Sequence, residues 1–170
     1  MNSPAPIVIT DASVLINFLV IDRVNLLHQC GHRFLLTDHV VAEVTTHYPE
    51  QLSRLKAAIE SGMLEQLSVT EPDEVDLFQK LTGDGRLGLG ECSAIAVAVY
   101  RHHILAIDDR RAKKQALAVD STLTIIGTQE LMVIIIQAGL IDVATADIIK
   151  SEWSTKHSFT LKITSFAELL

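Results

Sequence analysis

Five carboxylates occupy positions where chemistry, as well as packing, could use them. Asp11 closes the apolar run IVI at residues 7–9, just before a helical pattern. Asp108 and Asp109 follow the run ILAI at 104–107. Glu43 lies in the helical pattern after the run RFLLT at 33–37, and Glu91 follows the glycine-rich stretch TGDGRLGLGE at the head of a nearly all-apolar segment. In an open parallel sheet, ligands bind beyond the carboxyl ends of the strands, where the strand order reverses. Four separate segments could therefore bring acids to one edge. Each acid also has a structural explanation. Asp11 could cap the next helix, Glu91 could serve a helix dipole, and the Asp108–Asp109 pair could be a turn followed by a cap. Glu43 sits one residue before Val44, at the margin of the packed face. A shared cation accounts for all of them together. Clustered carboxylates suit Mg2+ or Mn2+, since like charges a few ångströms apart do not stay ionised unpaired. Such an ion can polarise a phosphoryl oxygen, lower the pKa of a bound water and hold a phosphate for in-line attack.

The elements that must position these acids are legible as strand-length apolar runs, at 7–9, 33–37, 64–69, 104–107 and 123–126, separated by helical spacings. Val14, Leu15, Phe18 and Leu19 mark one helical face, with Asp11 or Ser13 placed to cap it; Val40, Val41 and Val44 mark another. The segment ECSAIAVAVYRHH is apolar nearly all round and reads as a central buried helix. Continuous apolar strands alternating with helices indicate an α/β fold with a mainly parallel sheet. The 170 residues suit a single domain over 1–170, with an extension from about residue 142 that ends in a strand or a helix. An aliphatic core is expected, because 48% of residues are hydrophobic and only 5% aromatic. Mean hydropathy is +0.30, yet the apolar run LMVIII is too short to span a bilayer. With no basic, apolar leader in MNSPAPIVIT, a cytoplasmic protein is expected. Cys30 and Cys92 form no metal or redox motif and read as buried thiols. A net charge of −7 argues against a general nucleic-acid coat or a membrane-surface binder, although acids gathered in one pocket would account for part of it.

In that order, the segments VITDASVLINF, LTDHVVAEV, LGLGECSAIAVA and ILAIDDRRAKKQA resemble the PIN-domain superfamily of Mg2+-dependent ribonucleases. The nearest likeness is to its small prokaryotic members, which include toxins of toxin–antitoxin pairs. The resemblance runs from about residue 7 to about residue 140. It implies that Asp11, Glu43 and Glu91 are metal-ligating catalytic acids, with Ser13 as the small hydroxyl residue two positions after the first. For the fourth acid it favours Asp109, with Asp108 a close second ligand or a water-mediated one. It further implies a flavodoxin-like three-layer sandwich, hydrolysis of RNA phosphodiester bonds, often a homodimer, and a small antitoxin as a possible partner. The apolar stretches LMVIIIQAGLI and FAELL also favour a homodimer, as surfaces better buried than exposed. Arg110 and Arg111 directly follow the acids and could meet a phosphate backbone, or else belong to a solvated helix face.

Two other enzyme classes fit less well. Haloacid-dehalogenase-like chemistry needs an acid where Ser13 stands, and a dinucleotide site needs a glycine-rich turn after the first strand. The rival from another class is a PIN-like scaffold that binds nucleic acid or protein without turnover.

Overall fold

The five apolar runs become the strands of one sheet: β1 (Ile7–Thr10), β2 (Arg33–Thr37), β3 (Glu65–Leu67), β4 (Ile104–Ala106) and β5 (Ile125–Ile126). The structure is a computed structural model that describes residues 3–170; Met1 and Asn2, the first residues of the domain expected over 1–170, lie outside the described residues. Between and after the strands run α1 (Ala12–Val20), α2 (Val24–Gln29), α3 (Asp38–His47), α4 (Leu52–Glu60), α5 (Pro72–Gly83), α6 (Leu89–Tyr100), α7 (Arg110–Val119), α8 (Thr128–Gln137) and α9 (Val143–Lys156). All strand pairs are parallel, in the order β3-β2-β1-β4-β5. The chain moves outward from β1 through β2 to β3, then returns to place β4 on the other side of β1. The order thus reverses between β1 and β4, and the crevice at their carboxyl ends is where such a sheet binds ligands. One further rung, from Asp11 N–H to the Ala106 carbonyl at 2.9 Å, carries the ladder to the first acid.

Strand alternation divides the core into two layers. Val8, Phe34, Leu36 and Ala106 face one apolar cluster, which includes Phe18, Leu131, Met132 and Trp153. Ile9, Leu105 and Ile107 face the other, built mostly from α6 and α7. Two buried faces explain why the strands read as continuous apolar runs. Residues 92–98 of α6 are all buried, in keeping with a helix apolar all round. The sheet with helices on both faces is the three-layer α/β sandwich that the resemblance implied.

Three details differ from the sequence expectations. Helix α6 starts at Leu89 rather than at Glu91, because Glu91 reaches back to accept from the Gly88 N–H, 3.0 Å away, and so caps the helix from its third residue; glycine at the cap has no side chain to return the bond. The terminal segment is neither a strand nor an α-helix but an irregular stretch ending in a 3-10 turn, Phe166–Leu169. Asp147 holds that turn, accepting from Ser165 Oγ at 2.6 Å and from Phe166 N–H at 2.9 Å, so that the Phe166 ring is seated in the core. Much of the apolar surplus in LMVIIIQAGLI and FAELL is absorbed in this way: Leu131, Met132, Ile135 and Phe166 are buried within the chain, while Leu169 and Leu170 remain exposed. Cys30 and Cys92 are free buried thiols, as expected. Among the described residues, no helix is long and apolar enough to cross a membrane.

Candidate active site

Asp11 is at once a helix cap and a polar group without a full set of partners. Its Oδ2 accepts from Ser13 N–H at 3.1 Å and caps α1, while Oδ1 is buried and accepts nothing. The residue is only 2% exposed. Burial raises its pKa; hydrogen bonds from Ser13 and Ala12 offset part of that effect, and the charge of Asp108 adds to it.

Glu43, on α3, has the companion defect: Oε2 is buried with no hydrogen-bond partner. Its carboxylate lies against the first turn of α6 at Gly90, where a side-chain carbon would collide with Oε2. Glycine at 90 thus makes room for the Glu43 carboxylate in its present place, and its backbone conformation is one any residue adopts. The two helices are joined there, since Thr37 Oγ1 and Ser93 Oγ are 2.6 Å apart and Ser93 Oγ donates to the Gly90 carbonyl at 2.8 Å. Burial, followed by the charges of Asp11 and Glu91, pushes the Glu43 carboxyl up to about 7. Glu91 is raised too, chiefly by burial; its bond from Gly88 opposes this, Asp11 and Asp109 reinforce it, and Arg111 opposes it. Glu43 therefore feels the charges of Asp11 and Glu91, and Glu91 those of Asp11 and Asp109.

The two acids after β4 have different settings. Asp108 turns toward the start of α8, where Oδ1 accepts from Thr128 N–H at 2.9 Å. Its Oδ2 accepts from Thr128 Oγ1 at 2.6 Å and from Asn17 Nδ2 at 3.3 Å. The Asp108 N–H donates to Ser13 Oγ at 3.1 Å, so Ser13 ties the ends of β1 and β4 together. Asp109 caps α7, with Oδ1 accepting from the Arg111 and Ala112 N–H groups, both at 2.9 Å. Turn and cap are thus both present, and the charges of Asp108 and Asp109 still act on Asp11 and Glu91 respectively. Asn17 Nδ2 also contacts the Ser13 carbonyl at 3.1 Å and Thr128 Oγ1 at 3.0 Å.

Asn17, Thr128 and Gly90 support the acids but were not singled out from the sequence. Asn17 was detectable as a lone amide on the apolar face of α1, and Gly90 as part of the glycine-rich stretch. Thr128 gave no signal. Arg110 and Arg111 are exposed at the start of α7, and the Arg111 charge reaches Glu91. Arg101 is instead ion-paired with the fully buried Glu74.

Among the described residues, no three His, Cys, Asp or Glu side chains stand close enough to hold a metal ion. The donor chemistry nevertheless fits a hard cation, because carboxylates with raised proton affinity and two unpartnered buried oxygens would all gain from one. Asp11 and Glu43 are the acids whose free oxygens would hold it, with Glu91 and Asp109 beside them. Spacing, rather than donor type, separates this arrangement from a closed coordination shell.

A family model described as PIN domain (DUF3368) matches residues 7–157. A PilT N-terminus domain protein from the archaeon Sulfolobus solfataricus P2 is similar in structure, with a TM-score of 0.51 and 18% identity over 74% of this chain and 90% of that one. VapBC2 from Rickettsia felis, solved with a DNA fragment from its promoter, gives a TM-score of 0.51 at 13% identity, over 71% of this chain and 98% of that one. At these identities the likeness is one of fold. No curated protein matches the sequence.

Proposed function

Because the chain belongs to the PIN-domain family, we propose that it is a Mg2+- or Mn2+-dependent endoribonuclease acting as the toxin of a toxin–antitoxin pair. The observation that carries this reading is the pair of buried carboxylate oxygens, Asp11 Oδ1 and Glu43 Oε2, left without partners beside Glu91. A divalent ion bound there would supply an activated water and neutralise charge building on the phosphate. Asp11 and Glu43 would be its direct ligands. Glu91 and Asp109 would complete the acidic wall, Ser13 and Asp108 would set its geometry from behind, and Arg110 and Arg111 would meet the RNA backbone. The fold shared with VapBC2 of Rickettsia felis supports the toxin assignment. In this reading the enzyme works in the cytoplasm as a homodimer, restrained by a small antitoxin protein.

The test is a titration of metal-free protein with Mg2+ and Mn2+, followed by cleavage of single-stranded RNA. Saturable metal binding together with metal-dependent cleavage supports the reading. Metal binding without cleavage favours a PIN-like binding scaffold, a reading helped by the capping duty of Asp109 and the open spacing of the acids.

A further inference from the structure

A groove of about 600 Å³ is bounded by α1, the end of α3 with the chain just after it, and the segment that follows α9. None of the five acids lines it, but Ser13 and Asn17, which bond to Asp11 and Asp108, do. We propose that this groove is a base-binding subsite, which receives an unpaired nucleotide of the RNA adjoining the scissile phosphate. The proposal rests on the ribonuclease reading and adds to that site a place for one unpaired base.

Continuity with the acids is the first observation. Ser13 and Asn17 line the groove; Ser13 bonds Asp11 and Asp108, and Asn17 bonds Asp108. A nucleotide in the groove would therefore be next to a phosphate at the carboxylates. The second observation is the lining. Tyr48, Phe159, His47 and His157 bring rings, and Gln51 brings an amide. Tyr48 is 40% exposed, so a large aromatic surface is open to a ligand. Neither Lys nor Arg contributes to the lining, and Glu50 does. A phosphate would be repelled, whereas a neutral heterocycle could stack on the rings and bond to the polar tips. Unpaired bases are recognised in this way, by stacking on aromatic side chains and hydrogen bonding at their edges. The volume lies within the range of small-molecule sites. A protein segment would favour an aliphatic trough, and here Ile16 and Val20 supply only part of the wall.

The groove also has its own framework. Phe159 lies past residue 157, where the family match ends, so this wall belongs to the chain's own terminal segment. Its N–H donates to the Trp153 carbonyl at 3.1 Å, and its ring meets the Trp153 ring edge-on at 5.6 Å. Trp153 in turn donates from Nε1 to the Asn17 carbonyl at 2.7 Å. The chain's one tryptophan is therefore a built-in reporter, bonded to one wall of the groove and packed on another.

The experiment uses full-length protein in chelator, titrated with a single-stranded RNA hexanucleotide and with an RNA duplex, while Trp153 emission is followed. The single strand should change the emission saturably and the duplex should not. Tyr48→Ala and Phe159→Leu should each weaken single-strand binding about tenfold, as expected for the loss of one stacked base, whereas Tyr48→Phe should retain it. A thermal melt of each variant checks folding. If the hexanucleotide binds Tyr48→Ala and Phe159→Leu as tightly as wild type, the groove is not a base site. A duplex that binds as well as the single strand, or a Trp153 emission that neither RNA changes, also overturns the proposal. Binding of this pattern without cleavage after Mg2+ is added would leave the subsite standing and refute the ribonuclease reading.

Discussion

Asp11 Oδ1 and Glu43 Oε2 are the two buried side-chain oxygens, among the described residues, that accept no hydrogen bond. They belong to neighbouring acids: after burial, the charge of Asp11 is the next cause of the high pKa of Glu43. Buried polar groups are ordinarily paired, and an unpaired one costs free energy. Two such atoms on adjacent carboxylates mark a place where a cation would stabilise the fold.

The first prediction concerns pH. The Glu43 carboxyl rises from 4.5 to about 7 on folding, so between those values the folded state holds a proton that the unfolded chain releases. Stability is then fully present below about 4.5 and declines as pH rises through 7. Asp11, Glu91 and Asp108 shift in the same direction. Carboxyls with lowered pKa values, such as Asp38 and Glu65, lose their stabilisation only below their ordinary range. Melting temperature in chelator should therefore fall from pH 5 to pH 8, and Glu43→Gln should flatten the fall. Equal slopes for the two proteins would count against the raised Glu43.

A second prediction concerns Gly90. An alanine there would displace the Glu43 carboxylate, which is the movable end of a side chain, so the protein should still fold. Metal affinity should drop about tenfold or more, the scale seen when the support of a ligand is lost. The shift in melting temperature with added Mn2+ measures this, and an undiminished shift in Gly90→Ala would show that Glu43 is not needed at the site.

Much of this arrangement was legible in the sequence because it follows from short-range patterns. The central strands β1, β2 and β4 are apolar runs largely buried on both faces, whereas the edge strands β3 and β5 are only half-buried, and Asp11 stands out as an acid at the end of one of the central runs. Glu43 and Glu91 could be placed on their helices, though α6 begins two residues earlier than the acid that was expected to open it. The support around the acids was not legible. Asn17 and Thr128 are far apart in sequence and meet only when the end of β5 arrives beside β4, and the value of glycine at 90 depends on how closely α3 approaches α6. The terminal segment has no clear period, since a few anchors hold it: Trp153, Phe166 and the Asp147 bonds.

A third prediction tests that support. Asn17→Ala removes an amide that donates to Asp108 and Thr128 inside the fold. The loss should cost about 1–3 kcal/mol of unfolding free energy, the range for leaving a buried polar partner unsatisfied. Urea denaturation measures this, and a loss near zero would mean that Thr128 alone secures Asp108.

The central claim is that Asp11 binds the catalytic ion in addition to capping α1. Asparagine keeps the shape and the capping oxygen but removes the charge. The decisive measurement is the rate of RNA cleavage by wild type and Asp11→Asn across a Mg2+ titration. Asp11→Asn should retain its fold and lose at least about tenfold to a hundredfold in cleavage. Equal rates at saturating Mg2+ would contradict the claim and leave Asp11 as a helix cap alone.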